Sequence, residues 1–284
     1  MMRSLNLKKT KRFAAQIRLE TLKEIKTLGF GHIGGSLSIA DLLAVLYENV
    51  MSYDPKKPQW KDRDFFVSSK GHAGPAIYAT LALKGFFPLE MLKTLNHNGT
   101  KLPSHCDRNK TPGIDMTTGS LGQGVSTAIG MAMGTKIDKT KNYTYLLVGD
   151  GELNEGQCWE GAMFANHHKL DNLICFVDYN KKQLDGYVKD INRPLSFADK
   201  FKSFGWDAQD VNGSSVEDIY NAIEKAKTIK EKPSVIVLDT IKGQGVKFVE
   251  NTLANHSMKF GEKENAEAEK AIVELERKIK ELDC

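Results

Sequence analysis

With 284 residues, 40% hydrophobic and 27% charged, the chain can bury a large α/β core and still present a charged surface. Its net charge of +4 is spread out apart from Lys8-Lys9-Thr10-Lys11-Arg12, which argues against a nucleic-acid-binding stripe. No apolar run reaches membrane-spanning length, and the basic start MMRSLNLKKTKRF lacks the apolar segment of a secretory signal. Residues 6–29 place Phe13, Ile17, Leu22, Ile25 and Leu28 on or near one stripe, which predicts a long amphipathic helix. The glycines of GFGHIGG end it and leave His32 in a loop. Ser38 then reads as the cap of a helix through Tyr47, with Asp41 at the third helical position as in a capping box.

Residues 64–68 read as a short buried strand, followed by a loop and a helix starting near Gly74-Pro75, where proline is tolerated. His72 falls at that strand-to-helix turn, where an anion would meet free N–H groups. Pro88 begins another helix, over LEMLKTLNH. Residues 102–124 are rich in turn formers and aperiodic, as functional loops are, and hold His105. The run TGSLGQG opens an Ala/Met/Gly-rich helix to about Lys136.

The chain is organised around residues 144–180. An apolar run, Tyr145-Leu146-Leu147-Val148, ends on Gly149-Asp150-Gly151; a helical pattern from about Gly156 to Lys169 follows. A second apolar run, Leu173-Ile174-Cys175-Phe176-Val177, ends on Asp178-Tyr179-Asn180. Apolar strands joined by a helical crossover are parallel and buried on both faces, and ligands of such sheets sit beyond the carboxyl ends. Asp150 and Asn180 thus return to one locale. One carboxylate, one amide oxygen and backbone carbonyls suit Mg²⁺ shared with a diphosphate, and Gly149 and Gly151 let backbone approach a phosphate. Gly-Asp-Gly also serves as an ordinary turn, and periodicity cannot tell a nucleotide from another diphosphate.

Beyond this stretch the doubly wound pattern continues. Helices are expected over 194–204 and, with a serine cap, over SVEDIYNAIEKAKTI; strands over 207–211 and 233–241; and a charged helix over 262–282. The Gly-Gln-Gly after the last strand is not a Walker loop. Cys106, Cys158, Cys175 and Cys284 show no paired spacing, which fits free thiols in a reducing cytoplasm. Nothing marks a base for Cys106 as a nucleophile. His167 and His168 read as surface or helix-end residues.

Asp150 followed thirty positions later by Asn180 resembles a thiamine diphosphate-binding motif. GHIGGSLSIADLL (31–43), SSKGHAGPAIYATLALKGFF (68–87), residues 102–133 and IKGQGVKFVEN with Asn255-His256 narrow the resemblance to the amino-terminal half of a transketolase divided over two chains. The resemblance implies one domain over 1–284: a doubly wound, mostly parallel α/β sheet that binds the cofactor diphosphate. It implies thiamine diphosphate and Mg²⁺ as cofactors, with Asp150, Asn180 and the backbone carbonyl of Lys182 on the metal. It assigns His72, Gly119, Ser120, Leu121, Gly151, Asn180 and His256 to the cofactor, and His32, His105 and His256 to substrate. Glu155 would link the two active sites of a dimer; a solvated helix-start glutamate is the plainer reading of the same residue. This chain departs from the family at Ile33, Ser38 and Ser104-His105-Cys106.

The implied reaction moves a two-carbon ketol unit from a ketose phosphate to an aldose phosphate, in the pentose phosphate pathway. The glutamate that activates the cofactor's aminopyrimidine belongs to a second domain in the family. A carboxy-terminal partner subunit is therefore expected to supply it, in a cytoplasmic heterotetramer with two copies of each chain, without nucleic acid or membrane. The alternatives are a subunit of another thiamine diphosphate enzyme, namely a deoxyxylulose phosphate synthase or a 2-oxoacid dehydrogenase of the alpha type, and a non-catalytic cofactor-binding scaffold. The histidine-bearing loops and TTGSLGQG argue against the dehydrogenase.

Overall fold

The structure, a computed structural model, describes residues 5–184 and 186–283. Met1–Ser4 of the basic start and Cys284 lie outside the described residues. Helix α1 (Leu7–Leu28) is capped by the Asn6 side chain, which accepts from Lys9 N, and is ended by Gly29 at φ 86°. Strand β1 (Phe30–Gly31) leads into two short helices, α2 (Gly34–Leu37) and α3 (Ala40–Val45), and a π turn at Leu46–Val50. The expected single helix capped by Ser38 is thus divided. Ser38 gives its hydroxyl to Asp178 Oδ2 at 2.7 Å instead of capping. Asp41, expected in a capping box, pairs with Arg18 of α1 and accepts from Gln244. A long-range buried pair outcompetes a local cap here.

Strand β2 (Phe65–Ser68) is followed by a 3₁₀ turn at Gly71–Ala73 and by α4 (Gly74–Leu83). The segment after Pro88 forms a 3₁₀ helix, Leu89–Thr94, rather than an α-helix. Helix α5 (Gln123–Ile137) starts after the TGSLG run, which stays a loop. The central unit is β3 (Thr144–Gly149), α6 (Gly156–His167) and β4 (Leu173–Tyr179). A small hairpin follows, β5 (Lys182–Gln183) against β6 (Gly186–Tyr187), then α7 (Val188–Ile191) and α8 (Phe197–Ser203), which Ser196 caps. Strand β7 (Asp207–Asn212), α9 (Val216–Thr228) with its Ser215 cap, and β8 (Ser234–Asp239) come next. The described chain closes with α10 (Lys247–Glu250), β9 (Met258–Lys259) and α11 (Glu262–Glu281).

Five strands form one parallel sheet in the order β2-β3-β4-β8-β7, as the apolar runs require. Alternation along each strand feeds two cores. Tyr145, Leu147, Ile174, Phe176, Ile236 and Leu238 join the core with α1, α3, α4, α9 and α11. Leu146, Val148, Cys175, Val177, Val235 and Val237 join the other, with α5, α6 and α8. Both faces are covered, so the polar chemistry has to gather at the strand ends. Cys106, Cys158 and Cys175 are free and buried, and burial pushes the Cys106 thiol up to about 12, which makes it a poor nucleophile. His167 is exposed at the end of α6, and its ring packs on that of His168.

Candidate active site

The carboxyl ends of β2, β3, β4 and β8 open on a cavity of about 330 Å³. His32, His72, His105 and His256 each reach it by a different route. His32 follows β1, whose antiparallel pairing with β9 (Gly31 opposite Met258) brings the glycine loop against residues 256–257. His72 sits in the 3₁₀ turn after β2. His105 is carried by the long loop, which is stitched to that turn: Cys106 N donates to Gly71 O, Thr118 N to Cys106 O, and Thr118 Oγ1 to Ser68 O. A Cβ on Gly71 would stand 2.4 Å from Thr118 O, so the stitch needs glycine there. Gly119 has φ 148°, and a Cβ there would strike His105 Cδ2 at 2.9 Å.

The four imidazoles cluster around His32. Its ring centroid lies 5.6 Å from that of His72, 5.3 Å from His105 and 5.1 Å from His256, while His72 and His256 are 4.9 Å apart. Burial, then the Lys70 ammonium and the other imidazoles, hold His72 well below its ordinary value. Burial, then His105 and Lys242, lowers His32, and burial lowers His105. These three rings are neutral at pH 7, and each offers one N–H donor and one acceptor nitrogen.

On the opposite wall, Asp150 accepts Gly151 N at 2.8 Å and Lys181 N at 2.7 Å. Burial, then the charge of Asp178, pushes its carboxyl up to about 7. Asn180 donates its amide N–H to Asp178 Oδ2 at 2.8 Å, so its Oδ1 is turned the other way, toward Lys182 N at 3.2 Å. The Lys182 side chain runs off to the Glu250 and Thr252 carbonyls. A carboxylate whose charge is held back by burial, beside an amide oxygen, is a fit for a hard divalent cation. Among the described residues, no three His, Cys, Asp or Glu side chains form a metal-holding group, so the histidines do not build a zinc-type centre.

Gly119, Leu121, Gly151, Asn180 and Lys182 also line the cavity; Ser120 and Glu155 do not, and both are exposed. Glu155 precedes α6, and the buried glutamate of that turn is Glu152. Glu152 accepts from Ser69, Gly122 N and Gly149 N. The two glycines around Asp150 differ. A Cβ on Gly149 would meet only ordinary contacts, Glu152 Cβ and Lys70 Cδ at 3.9 Å, whereas one on Gly151 would stand 2.5 Å from Gln183 Cβ, so the smallness of Gly151 serves the hairpin.

The profile of the family "Transketolase, thiamine diphosphate binding domain" matches residues 9–276. The chain belongs to that family. This transketolase domain is 54% identical over 261 residues to the 6-deoxy-6-sulfo-D-fructose transketolase subunit SqwG of Clostridium sp. (strain MSTE9), covering 92% of this chain and 94% of that one. It is 39% identical over 253 residues to an apulose-4-phosphate transketolase subunit of Phocaeicola vulgatus, covering 89% of each. It superimposes on transketolase from Campylobacter jejuni with a TM-score of 0.85 at 29% identity, covering 98% of this chain and 47% of that one. The domain therefore spans about half the length of the solved transketolases it matches.

Sequence reasoning missed the hub beneath the transketolase site. Asp178 is fully buried and accepts from Ser38, Lys70 and Asn180 at Oδ2, and from Thr240 at Oδ1. Burial alone would raise its carboxyl; the Lys70 ammonium and the two hydroxyls hold it below the ordinary range. An acid inside the otherwise apolar run LICFVDYN, with a lysine closing the run FFVSSK, was the available signal. Lys242 was also missed; it donates to Leu184 O at 2.5 Å and lies 3.4 Å from His256 Nδ1, tying the hairpin to the His256 loop.

Proposed function

We propose that residues 1–284 form one cofactor-diphosphate-binding domain, the amino-terminal subunit of a two-chain transketolase that transfers a two-carbon ketol unit from a ketose to an aldose. The observation that carries this reading is the meeting of four imidazoles with Asp150 and Asn180 in one cavity at the carboxyl ends of a parallel sheet. Asp150, Asn180 Oδ1 and the Lys182 carbonyl would hold Mg²⁺. His72, Gly119, Leu121, Gly151 and His256 would face the diphosphate of thiamine diphosphate, with Ser120 at the rim. When bound, the cofactor supplies the carbanion-stabilising centre. The chain's own part is to bind, orient and dry the site. His32, His105 and His256 would hold sugar hydroxyls; the neutral rings of His32 and His105 can take up a proton as bases and then return it.

Relatives named as subunits support a partner chain that completes the site. Two copies of each chain in the cytoplasm is the assembly we infer, with Glu155 placed to meet another subunit. No helix among the described residues is long and apolar enough to cross a membrane. The similarity to a 6-deoxy-6-sulfo-D-fructose transketolase subunit favours a second reading of the donor, a sulfonated ketose, over a pentose phosphate pathway sugar.

The test is capture of the chain with its partner in Mg²⁺ and thiamine diphosphate, followed by ketol-transfer assays. 6-Deoxy-6-sulfofructose, fructose 6-phosphate and xylulose 5-phosphate serve as donors. Activity is expected from the two-chain complex and not from the lone chain. A chain that binds cofactor yet stays inactive with every isolated partner would favour the scaffold reading.

A further inference from the structure

Lys70 is a buried ammonium whose role the ion pair with Asp178 does not exhaust. Its side chain is 1% exposed, and its Nζ makes one hydrogen bond among the described residues, to Asp178 Oδ2. An ammonium has three N–H donors. A buried charge also has to be matched by partners on more than one side. Lys70 lines the cavity together with Gly35, His72, Gly149 and Asp150. A Cβ built on Gly35 would stand 3.4 Å from Lys70 Nζ and 3.3 Å from His72 Nε2. Both nitrogens therefore converge on one point over Gly35, and glycine keeps that point open.

The chemistry at that point selects an anion. His72 is neutral and can give a hydrogen bond but no charge. The Lys182 ammonium is engaged with the Glu250 and Thr252 carbonyls, and that of Lys242 with the Leu184 carbonyl. Both keep their charge, since a carbonyl does not neutralise an ammonium; of the three lysines that line the cavity, Lys70 is the one whose Nζ stands with His72 Nε2 over Gly35. Resting on the reading of the site as a diphosphate site, we propose that Lys70 is itself an anion-binding residue. Its Nζ, with His72 Nε2, contacts a phosphoryl oxygen of the diphosphate over Gly35, opposite the oxygens that face the divalent cation. Asp178 is the counter-charge of Lys70, and Lys70 in turn holds Asp178, which orients Asn180. One hub would then serve both charges of the ligand: the anion through Lys70 Nζ, the cation through Asp178 and Asn180.

The test is calorimetric titration of the full chain with thiamine diphosphate, and separately with inorganic pyrophosphate, each in Mg²⁺. Lys70→Met is expected to weaken both by at least ~10-fold with circular dichroism unchanged. Gly35→Ala, which leaves the Lys70–Asp178 pair in place and fills the point of convergence, is expected to weaken both in the same way. Unchanged pyrophosphate affinity in either folded variant overturns the proposal and leaves Lys70 a structural ion pair. Lys70→Met strands Asp178, so wild-type protein with ¹⁵N-labelled lysine carries a second readout. The Nζ resonance, assigned by its loss in Lys70→Arg, is expected to shift on adding pyrophosphate to Mg²⁺-saturated chain; a resonance that stays put at saturation rules the contact out. If the wild-type chain binds neither ligand, the diphosphate reading of the site itself has failed, and this proposal with it.

Discussion

The two ends of the same sheet behave differently. At the amino ends of β2 and β3 lies the larger hollow, about 850 Å³, lined by Asn49, Asp64, Asn142, Tyr143 and Lys227 among others. Its buried polar groups are already spoken for. Asp64 accepts Ser52 N and Tyr143 N, Asn142 donates to the Lys61 and Arg63 carbonyls, and Asn49 donates to Thr10 Oγ1. At the carboxyl ends the hollow is less than half that volume. Yet it gathers a carboxyl displaced to about 7, neutral imidazoles and a buried lysine. Volume does not make a site. Buried groups whose hydrogen-bonding capacity points into the hollow do.

The largest expected effect breaks the carboxyl end. Asp150→Ala should lower thiamine diphosphate affinity in Mg²⁺ by on the order of 100-fold or more, read by calorimetry. Equal affinity would remove Asp150 from the cation site. The matching change at the amino end should do the opposite. Asp64→Ala strands two buried N–H groups and should cost about 2–4 kcal/mol in denaturant unfolding, with cofactor affinity within about twofold of wild type. A parallel loss of affinity would mean the two ends are coupled through the strands.

A smaller effect sharpens the contrast with a buried acid that serves neither end. Glu24 of α1 has both carboxyl oxygens buried without a hydrogen-bond partner. Burial, then the charge of Glu20, holds its carboxyl well above the ordinary 4.5, and the Tyr78 ring system lies on the facing helix α4. A raised native value means that the neutral form is the one the fold favours. Its stability is complete below pH 4.5 and is lost as pH rises through the raised value. Glu24→Met should therefore flatten the fall in melting temperature between pH 5 and pH 8, and add about 1–3 kcal/mol at pH 8. An unaltered pH profile would show that Glu24 ionises in the fold at no cost.

What the sequence disclosed and what it hid follow from the range of the forces. The apolar runs of β3, β4 and β8 and the serine cap of α9 are written locally and were legible. So was the meeting of Asp150 with Asn180, because strand direction follows from the crossover rule. The division of the helix at residues 34–50 was hidden, since Asp41 and Ser38 abandon local capping for Arg18 and Asp178, partners 23 and 140 positions away. The β1–β9 pairing was hidden for the same reason: two-residue strands carry no period. Lys70 lay in a turn between two recognised features, and only β4, two strands across the sheet from β2, shows what it answers. Glu155 was named from motif likeness, and in the single chain it faces solvent.

That two-residue pairing, Phe30 with Lys259 and Gly31 with Met258, ties the start of the chain to its last tenth. It also sets an order of events during synthesis. On the ribosome, His32, His72 and His105 emerge early, and Asp150 and Asn180 are present well before the end. Thr240, Lys242 and His256 are not, and neither is the strand that presses His32 into place. A nascent chain has the letters of the site long before it has the site, because the loop that carries His32 waits for residues 258–259 to pair with it.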